Sequence, residues 1–223
     1  MIKSTLITVC IFFAGILSAA SQQLKPFVVN GKWGYRDAND QIIVEPQYDM
    51  AFLFEGDMAL VILNNKRGFI DKTGKLVIPL KYDGADNFSG DIAQVEINGK
   101  WGLLDKSGKE ITPVKYNYIG KYADGLYRIS AGKGKDAKWG FIDKTGKEVI
   151  PVIYKEARDF DQGVAIVALK DSYFLIDQSG NKKSAEYGYI SDFSDDMARV
   201  LSGLHYGYID KTGKEIISAL YTS

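Results

Sequence analysis

The sequence predicts an all-β fold: six tandem three-stranded antiparallel meanders in a solenoid-like twisted array. Three observations predict it. A two-residue core recurs at Trp33-Gly34, Arg67-Gly68, Trp101-Gly102, Trp139-Gly140, Tyr173-Phe174 and Tyr206-Gly207, spaced 34, 34, 38, 34 and 33 residues apart. Four residues after each core stands an aspartate (Asp37, Asp71, Asp105, Asp143, Asp177, Asp210), and a tyrosine follows ten or eleven residues later (Tyr48, Tyr82, Tyr116, Tyr154, Tyr187, Tyr221). The apolar segments between these markers are short and bounded by turn residues, and none shows a 3.6-residue period, so strands are expected and helix content is small.

Taken in chain order, the first element is a leader. Lys3 gives a positive start, Leu6 to Leu17 is almost unbroken apolar sequence, and Ser18-Ala19-Ala20 supplies small residues for cleavage. Residues 1–21 are thus expected to be a signal peptide and 22–223 a single repeat domain. The apolar stretch is shorter than the roughly 20 residues that cross a bilayer as a helix, so the mature chain is not expected to insert in a membrane. Export to the periplasm or the extracellular space follows as the expectation.

Within each repeat three strands are expected, exemplified in the second copy by 58–63, 67–71 and 76–82. The first joint carries Asn30-Gly31, Asn64-Asn65 or Asn98-Gly99, residues that tolerate the positive φ of a tight hairpin. The second joint reads Asp-Lys-Thr-Gly-Lys, where Asp bonds the turn backbone and Gly takes the left-handed position. The glycine after each aromatic marks a bulge or a close backbone approach. From each closing tyrosine a connection runs to the next repeat, suited to a short 3₁₀ turn, with an aromatic six residues on (Phe54, Phe88, Tyr122, Phe160, Phe193) and Ala or Tyr five further (Ala59, Ala93, Tyr127, Ala165, Ala198).

One meander buries too little apolar area to stand alone, so copies must share cores with neighbours. A six-bladed β-propeller is the alternative arrangement of the same strands. Its blades usually need about 40 residues or more, which favours the open array. Unpaired end strands would leave self-association open to the chain.

Residues 138–151, KWGFIDKTGKEVIP, together with the F-S-x-G-x-A-x-V spacing, resemble the bacterial WG or KWG repeats, and the resemblance extends over essentially the whole mature chain. It implies β-rich tandem arrays in bacterial, often exported, proteins. It supplies no catalytic residues to carry over.

The residue inventory restricts function. The single cysteine, Cys10, lies in the leader, so the mature chain has no thiol for a disulfide, a nucleophile or a thiolate metal site. His205 is the only histidine and occupies a turn position filled by lysine elsewhere. Imidazole-based metal sites and Ser-His-Asp triads therefore lack material, and no cofactor is expected. The 28 basic and 28 acidic residues balance, and losing Lys3 leaves 27 against 28. Such a balance gives no electrostatic basis for binding nucleic acid.

The repeated aspartates are followed by lysines within the same turn, which opposes a calcium site and favours turn capping. Acid pairs occur at Asp159/Asp161, Asp195/Asp196 and Glu55/Asp57, in the recurring connection, where they read as a solvated rim. A glycan hydrolase would need two such groups facing each other across a cleft. Charges at that end, near the Lys-Thr-Gly-Lys turns, are expected to neutralise partly. Trp33, Trp101 and Trp139 recur in register and are expected to pack between repeats instead of forming a sugar platform.

A four-residue expansion, Ala131 to Lys138, is where the chain escapes its repeat. The positions expected to contact a partner are Lys133, Lys135, Asp136 and Lys138 in this loop, with Lys66, Arg67 and Lys100 on the same end of neighbouring repeats. The functional expectation is a non-catalytic binding or scaffolding module for a protein or a cell-envelope glycan. The alternatives are a carboxylate-based glycan hydrolase and a purely structural spacer.

Overall fold

The computed structural model describes residues 24–221, so the expected signal peptide lies outside the described residues. The first sheet holds β1 (Lys25–Val29), β2 (Lys32–Arg36) and β3 (Ile42–Tyr48). The second holds β4 (Met50–Ala51), β5 (Met58–Leu63), β6 (Lys66–Asp71) and β7 (Leu76–Tyr82). The third holds β8 (Gly84–Ala85), β9 (Ile92–Ile97), β10 (Lys100–Asp105) and β11 (Glu110–Tyr116). The fourth holds β12 (Tyr118–Ala123), β13 (Leu126–Ala131), β14 (Lys138–Asp143) and β15 (Glu148–Tyr154). The fifth holds β16 (Glu156–Ala157), β17 (Val164–Leu169) and β18 (Ser172–Asp177). The sixth holds β19 (Tyr189–Ile190), β20 (Met197–Ser202), β21 (His205–Asp210) and β22 (Glu215–Tyr221).

All pairings are antiparallel between strands adjacent in sequence, and no sheet closes into a barrel. The expected meander is present, with one addition. After each of the first five closing tyrosines the connection pairs with the next long strand, as Met50↔Ile62 and Ala51↔Val61, so it forms an added strand instead of a 3₁₀ turn, two residues long except in the fourth sheet. The 3₁₀ turn among the described residues lies elsewhere, at Gly134–Asp136 in the fourth-repeat insertion.

The bulge expected at the aromatic-Gly pair is formed. Arg67 faces Tyr82 while Phe69 faces Ile78, so β7 advances four residues for two of β6. The extra backbone crosses directly over Gly68, where a Cβ would stand 2.5 Å from the Ile78 carbonyl oxygen. Pro79 sits in this bulge, where its missing N–H costs no ladder bond.

The fifth repeat shows what happens without the glycine. Phe174 fills the crossing space and buries its ring against Tyr154 of the fourth sheet, with centroids 6.2 Å apart. The equivalent of β7 is there reduced to the isolated bridges Tyr173↔Tyr187 and Ile176↔Lys182. The sixth repeat lacks the proline but keeps Gly207 and forms β22 in full. The glycine is thus the requirement and the proline an accompaniment.

In the second and fifth repeats the long strands β5 and β17 do not alternate apolar and polar residues as half-exposed strands would, whereas β9 and β20 do. In β5 Met58, Ala59, Leu60 and Val61 are all buried. Successive side chains point to opposite faces, and both faces are covered. Ala59, Val61 and Ile70 join Tyr35, Val44 and Tyr48 of the first sheet, while Met58, Leu60, Phe69 and Ile78 join Ala93, Val95 and Leu104 of the third.

Five such clusters occur among the described residues, each spanning two consecutive sheets from first to sixth. None joins the sixth sheet to the first. Accordingly, Tyr48, Tyr82, Tyr116, Tyr154 and Tyr187 are buried, whereas Tyr221 is 63% exposed and Leu220 75%. The array is open.

The turn glycines set the spacing between sheets. Gly74, at φ +83°, would place a Cβ 2.5 Å from the Val44 side chain of the preceding sheet, and Gly213 would meet the Lys183 carbonyl oxygen at 2.0 Å. The first repeat has no described sheet before it and carries Asp40 at this position, also at positive φ.

Candidate functional site

Most of the charged repeat is used to hold the fold. In the turn after β14, one Asp143 carboxylate oxygen accepts the Thr145 N–H at 2.8 Å, the Thr145 hydroxyl at 2.6 Å and the Lys147 N–H at 3.1 Å. These bonds, the hydroxyl first, hold the Asp143 carboxyl below its ordinary range against a smaller effect of burial. Ser107 does the same for Asp105 and Thr212 for Asp210. At Asp71 burial pushes the carboxyl up, and the Thr73 and Lys75 donors together outweigh it. Asp177 is lowered chiefly by the Asn181 N–H. Turn capping therefore occupies the repeated aspartates, as their sequence context suggested.

At the same end, in the second, third and sixth repeats, the lysine after the turn aspartate reaches an acid of the connection before a hairpin. Lys72 lies 2.9 Å from Asp57 and Lys106 2.9 Å from Asp91. Lys211 spans repeats, 2.8 Å from Asp161 and 3.4 Å from Asp196. The charges neutralise as expected. Asp159 pairs with Arg128 across 2.9 Å, and Asp195 takes a positive φ in its turn. Asp159 and Asp161 do line a groove of about 170 Å³ with Arg158 and Asp192. Each is held by a different cation, Asp159 by Arg128 and Asp161 by Lys211.

The opposite end holds an inter-repeat ladder. Lys32 pairs with Asp49 at 2.6 Å, and the other Asp49 oxygen accepts the Asn64 N–H at 2.7 Å. One repeat later Lys66 pairs with Asp83 at 2.5 Å, and Asp83 accepts the Asn98 N–H at 2.9 Å. Lys100 then donates to Asn117, whose amide donates to the Gly132 carbonyl at 2.8 Å. Arg67 donates to the Asp83 carbonyl. Of the residues expected to contact a partner, Lys66, Arg67 and Lys100 are thus placed in this ladder. Lys133, Lys135, Asp136 and Lys138 stand exposed on the 3₁₀ turn and its flanks. Only the fourth-repeat group remains free of the ladder.

The tryptophans lie half-buried at the rims of the inter-sheet cores. Trp139 is covered by the Arg128 guanidinium at 4.8 Å and meets Tyr118 edge-on at 5.6 Å. His205 opens β21 in an exposed position.

The fourth repeat departs from the others a second time, at the far end of β13 from the loop. Where the second, third, fifth and sixth repeats have Phe and Ala, it has Tyr122 and Tyr127. Tyr127 takes the buried position at 6% exposure, and its bulk leaves Tyr122 outside, 49% exposed, with ring centroids 4.8 Å apart. The two residues pair directly, extending β12 to six residues where its counterparts have two. The result is a cleft of about 340 Å³ between the third and fourth sheets, lined by Asp86, Asn87, Gln94, Lys121, Tyr122 and Tyr127 among others. That volume falls in the lower part of the roughly 300–1,000 Å³ typical of small-molecule sites. In the repeat alignment Tyr127 falls in the column of Ala59, Ala93, Ala165 and Ala198. The double exchange of Phe for Tyr and Ala for Tyr was the signal available.

The open stack of antiparallel sheets, each repeat bound to the next by a shared core, defines a tandem β-repeat protein. The WG-containing repeat matches residues 33–66, 68–101, 101–133, 139–173, 173–203 and 206–223, and the chain belongs to this family. No curated protein matches the chain. Among solved structures it is similar to a eukaryotic initiation factor, with TM-score 0.47 and 14% identity over 87% of this chain and 62% of that one. It is also similar to KlHsv2 with loop 6CD replaced by a Gly-Ser linker, with TM-score 0.41 and 9% identity over 72% of this chain and 61% of that one. PorZ, a bacterial surface component of the type-IX secretion system of Porphyromonas gingivalis, aligns with TM-score 0.36 and 10% identity over 90% of this chain and 31% of that one. The chain spans less than two thirds of each of these proteins.

Proposed function

We propose that this protein is a non-catalytic, exported binding or scaffolding module that engages the cell envelope through its fourth repeat. One observation carries the reading. Five repeats spend their recurrent charged and aromatic residues on turns, ladders and shared cores, while the fourth departs at both ends of β13, with an exposed basic loop and an open aromatic cleft. Irregular segments on a rigid repeat scaffold are where binding residues concentrate. The paired state of Asp159, Asp161 and Asp196 supports the non-catalytic part of the reading over carboxylate hydrolysis.

Co-sedimentation of the mature chain with isolated envelope, before and after protease stripping of the envelope, tests the proposal, with released sugars analysed in the supernatant. Retention with no soluble glycan fragments is expected. Failure to sediment in both preparations, or accumulating fragments, overturns it.

A further inference from the structure

We infer that the cleft between the third and fourth sheets is a saccharide-binding subsite that takes one neutral pyranose unit of a glycan, a reading that deepens the binding role proposed above. The chemistry of the lining selects this ligand class. Tyr122 presents an open aromatic ring, half exposed, braced from behind by the Tyr127 ring at 4.8 Å. A braced, exposed ring offers a flat apolar surface of the size of a sugar's C–H face without the entropy cost of ordering a long side chain.

Around it stand acceptors and donors in roughly equal supply. Asp86 brings carboxylate oxygens, Asn87 and Gln94 bring amides, Ser89 brings a hydroxyl and Lys121 an ammonium. Gln94 is already oriented, because its amide N–H₂ donates to the Gly120 carbonyl at 2.9 Å and leaves its oxygen to accept. A ligand rich in hydroxyl groups, each donor and acceptor at once, uses such a mixed lining fully.

Charge argues the same way. Asp86 and Lys121 oppose each other in sign, so the cleft carries no net demand for an anionic or cationic ligand. Nor is it closed enough to bury a lipid or a hydrophobic cofactor. Burial, with Tyr122 nearby, pushes the Tyr127 phenol upward, which keeps its hydroxyl protonated as a donor at neutral pH.

The repeat supplies internal comparison. At the corresponding position Phe88 and Phe160 are buried, while Phe54 and Phe193 are half-buried, Phe54 edge-on against Tyr35 and Phe193 beneath the Lys211 ammonium, so Tyr122 is the exposed ring of this column. The subsite is therefore placed in the fourth repeat.

The test is a titration followed by amide and tyrosine-ring NMR shifts, using cellotriose, maltotriose and triacetylchitotriose as probes on the mature chain. Tyr122→Ala, Gln94→Ala and a remote control on the sixth-repeat turn, Lys214→Ala, are compared with the unaltered protein. At least one probe is expected to shift resonances of residues 86–94 and 121–127, with Tyr122→Ala weakening binding about tenfold and Lys214→Ala leaving it unchanged. No shift with any probe, or equal binding by Tyr122→Ala in a folded variant, overturns the subsite. Envelope retention that survives in Tyr122→Ala would overturn the subsite and leave the binding role standing. Sugar shifts without envelope retention would do the reverse.

Discussion

Replacing Gly140 by Ala adds one methyl group at the point where β15 crosses β14. That Cβ would lie 2.7 Å from the Ile150 carbonyl oxygen and 2.8 Å from both the carbon and the oxygen of the Pro151 carbonyl. Every neighbour is backbone, so no side chain can rotate away, and β15 itself must move. Gly140 does not have a positive φ, so the penalty is steric and not conformational. Overpacking alone costs about 1–3 kcal/mol. Partial release of β15 would also expose Ile150, fully buried here, at up to about 1.5–3 kcal/mol. A loss of about 3 kcal/mol is expected from urea unfolding. Gly163→Ala is the control: its φ is +84° but a Cβ there meets nothing within 4 Å, so it carries only left-handed strain of about 1–2 kcal/mol. Hydrogen exchange should accelerate across 148–154 while the β13–β14 ladder stays protected, reproducing the state the fifth repeat reaches with Phe174. Equal losses in the two variants, with β15 protection unchanged, would refute the crossing as the reason for the glycine.

Three further outcomes follow from the same geometry. The depressed carboxyls of Asp71, Asp105, Asp143, Asp177 and Asp210 contribute stability above the unfolded carboxylate range, near pH 4, and lose it as pH falls through their folded values. The urea midpoint should therefore decline below about pH 4, and Asp143→Asn should lessen that decline. Tyr187, pushed up to about 12 by burial and by its bond to Glu215, stays neutral in the fold when an unfolded phenol near 10 ionises. Its contribution is complete below about pH 10 and lost as pH rises toward 12, which an alkaline unfolding series on Tyr187→Phe would register as a smaller loss. Finally, Tyr82→Ala should cost about 3–5 kcal/mol, like other large buried aromatics, whereas Tyr221→Ala at the uncovered end should have little effect on the same thermal melt.

Much of the fold was legible because the repeat fixes both the strand and the turn chemistry. The Asp-Lys-Thr-Gly-Lys turn, the Asn-rich hairpins and the bulge at the glycine all follow from residues within a few positions of one another. What stayed hidden depends on neighbours farther away. Met50–Ala51 is too short to carry a period, so its pairing with Ile62 and Val61 could not be read. The burial of Met58 through Val61 on both faces comes from sheets one repeat to either side. The Lys66–Asp83 link joins residues of adjacent repeats, so Lys66 read locally as a free surface charge.

The site was legible in part for the same reason. An insertion such as 131–138 is visible as a change of spacing. The cleft at Tyr122 is not, because it arises from which of two aromatic side chains wins the interior. Tyr127 does so, joining Leu103 and Tyr116 of the third sheet and Ile129 of its own in one core.

Hydroxyl-radical footprinting of the six closing tyrosines, read by mass spectrometry on residues 22–223, tests the open array most directly. Tyr48, Tyr82, Tyr116, Tyr154 and Tyr187 should be protected, and Tyr221 should react at the rate of an exposed side chain together with Leu220. Protection of Tyr221 equal to that of the other five would mean that the sixth sheet is covered by the first, and the open array would be wrong.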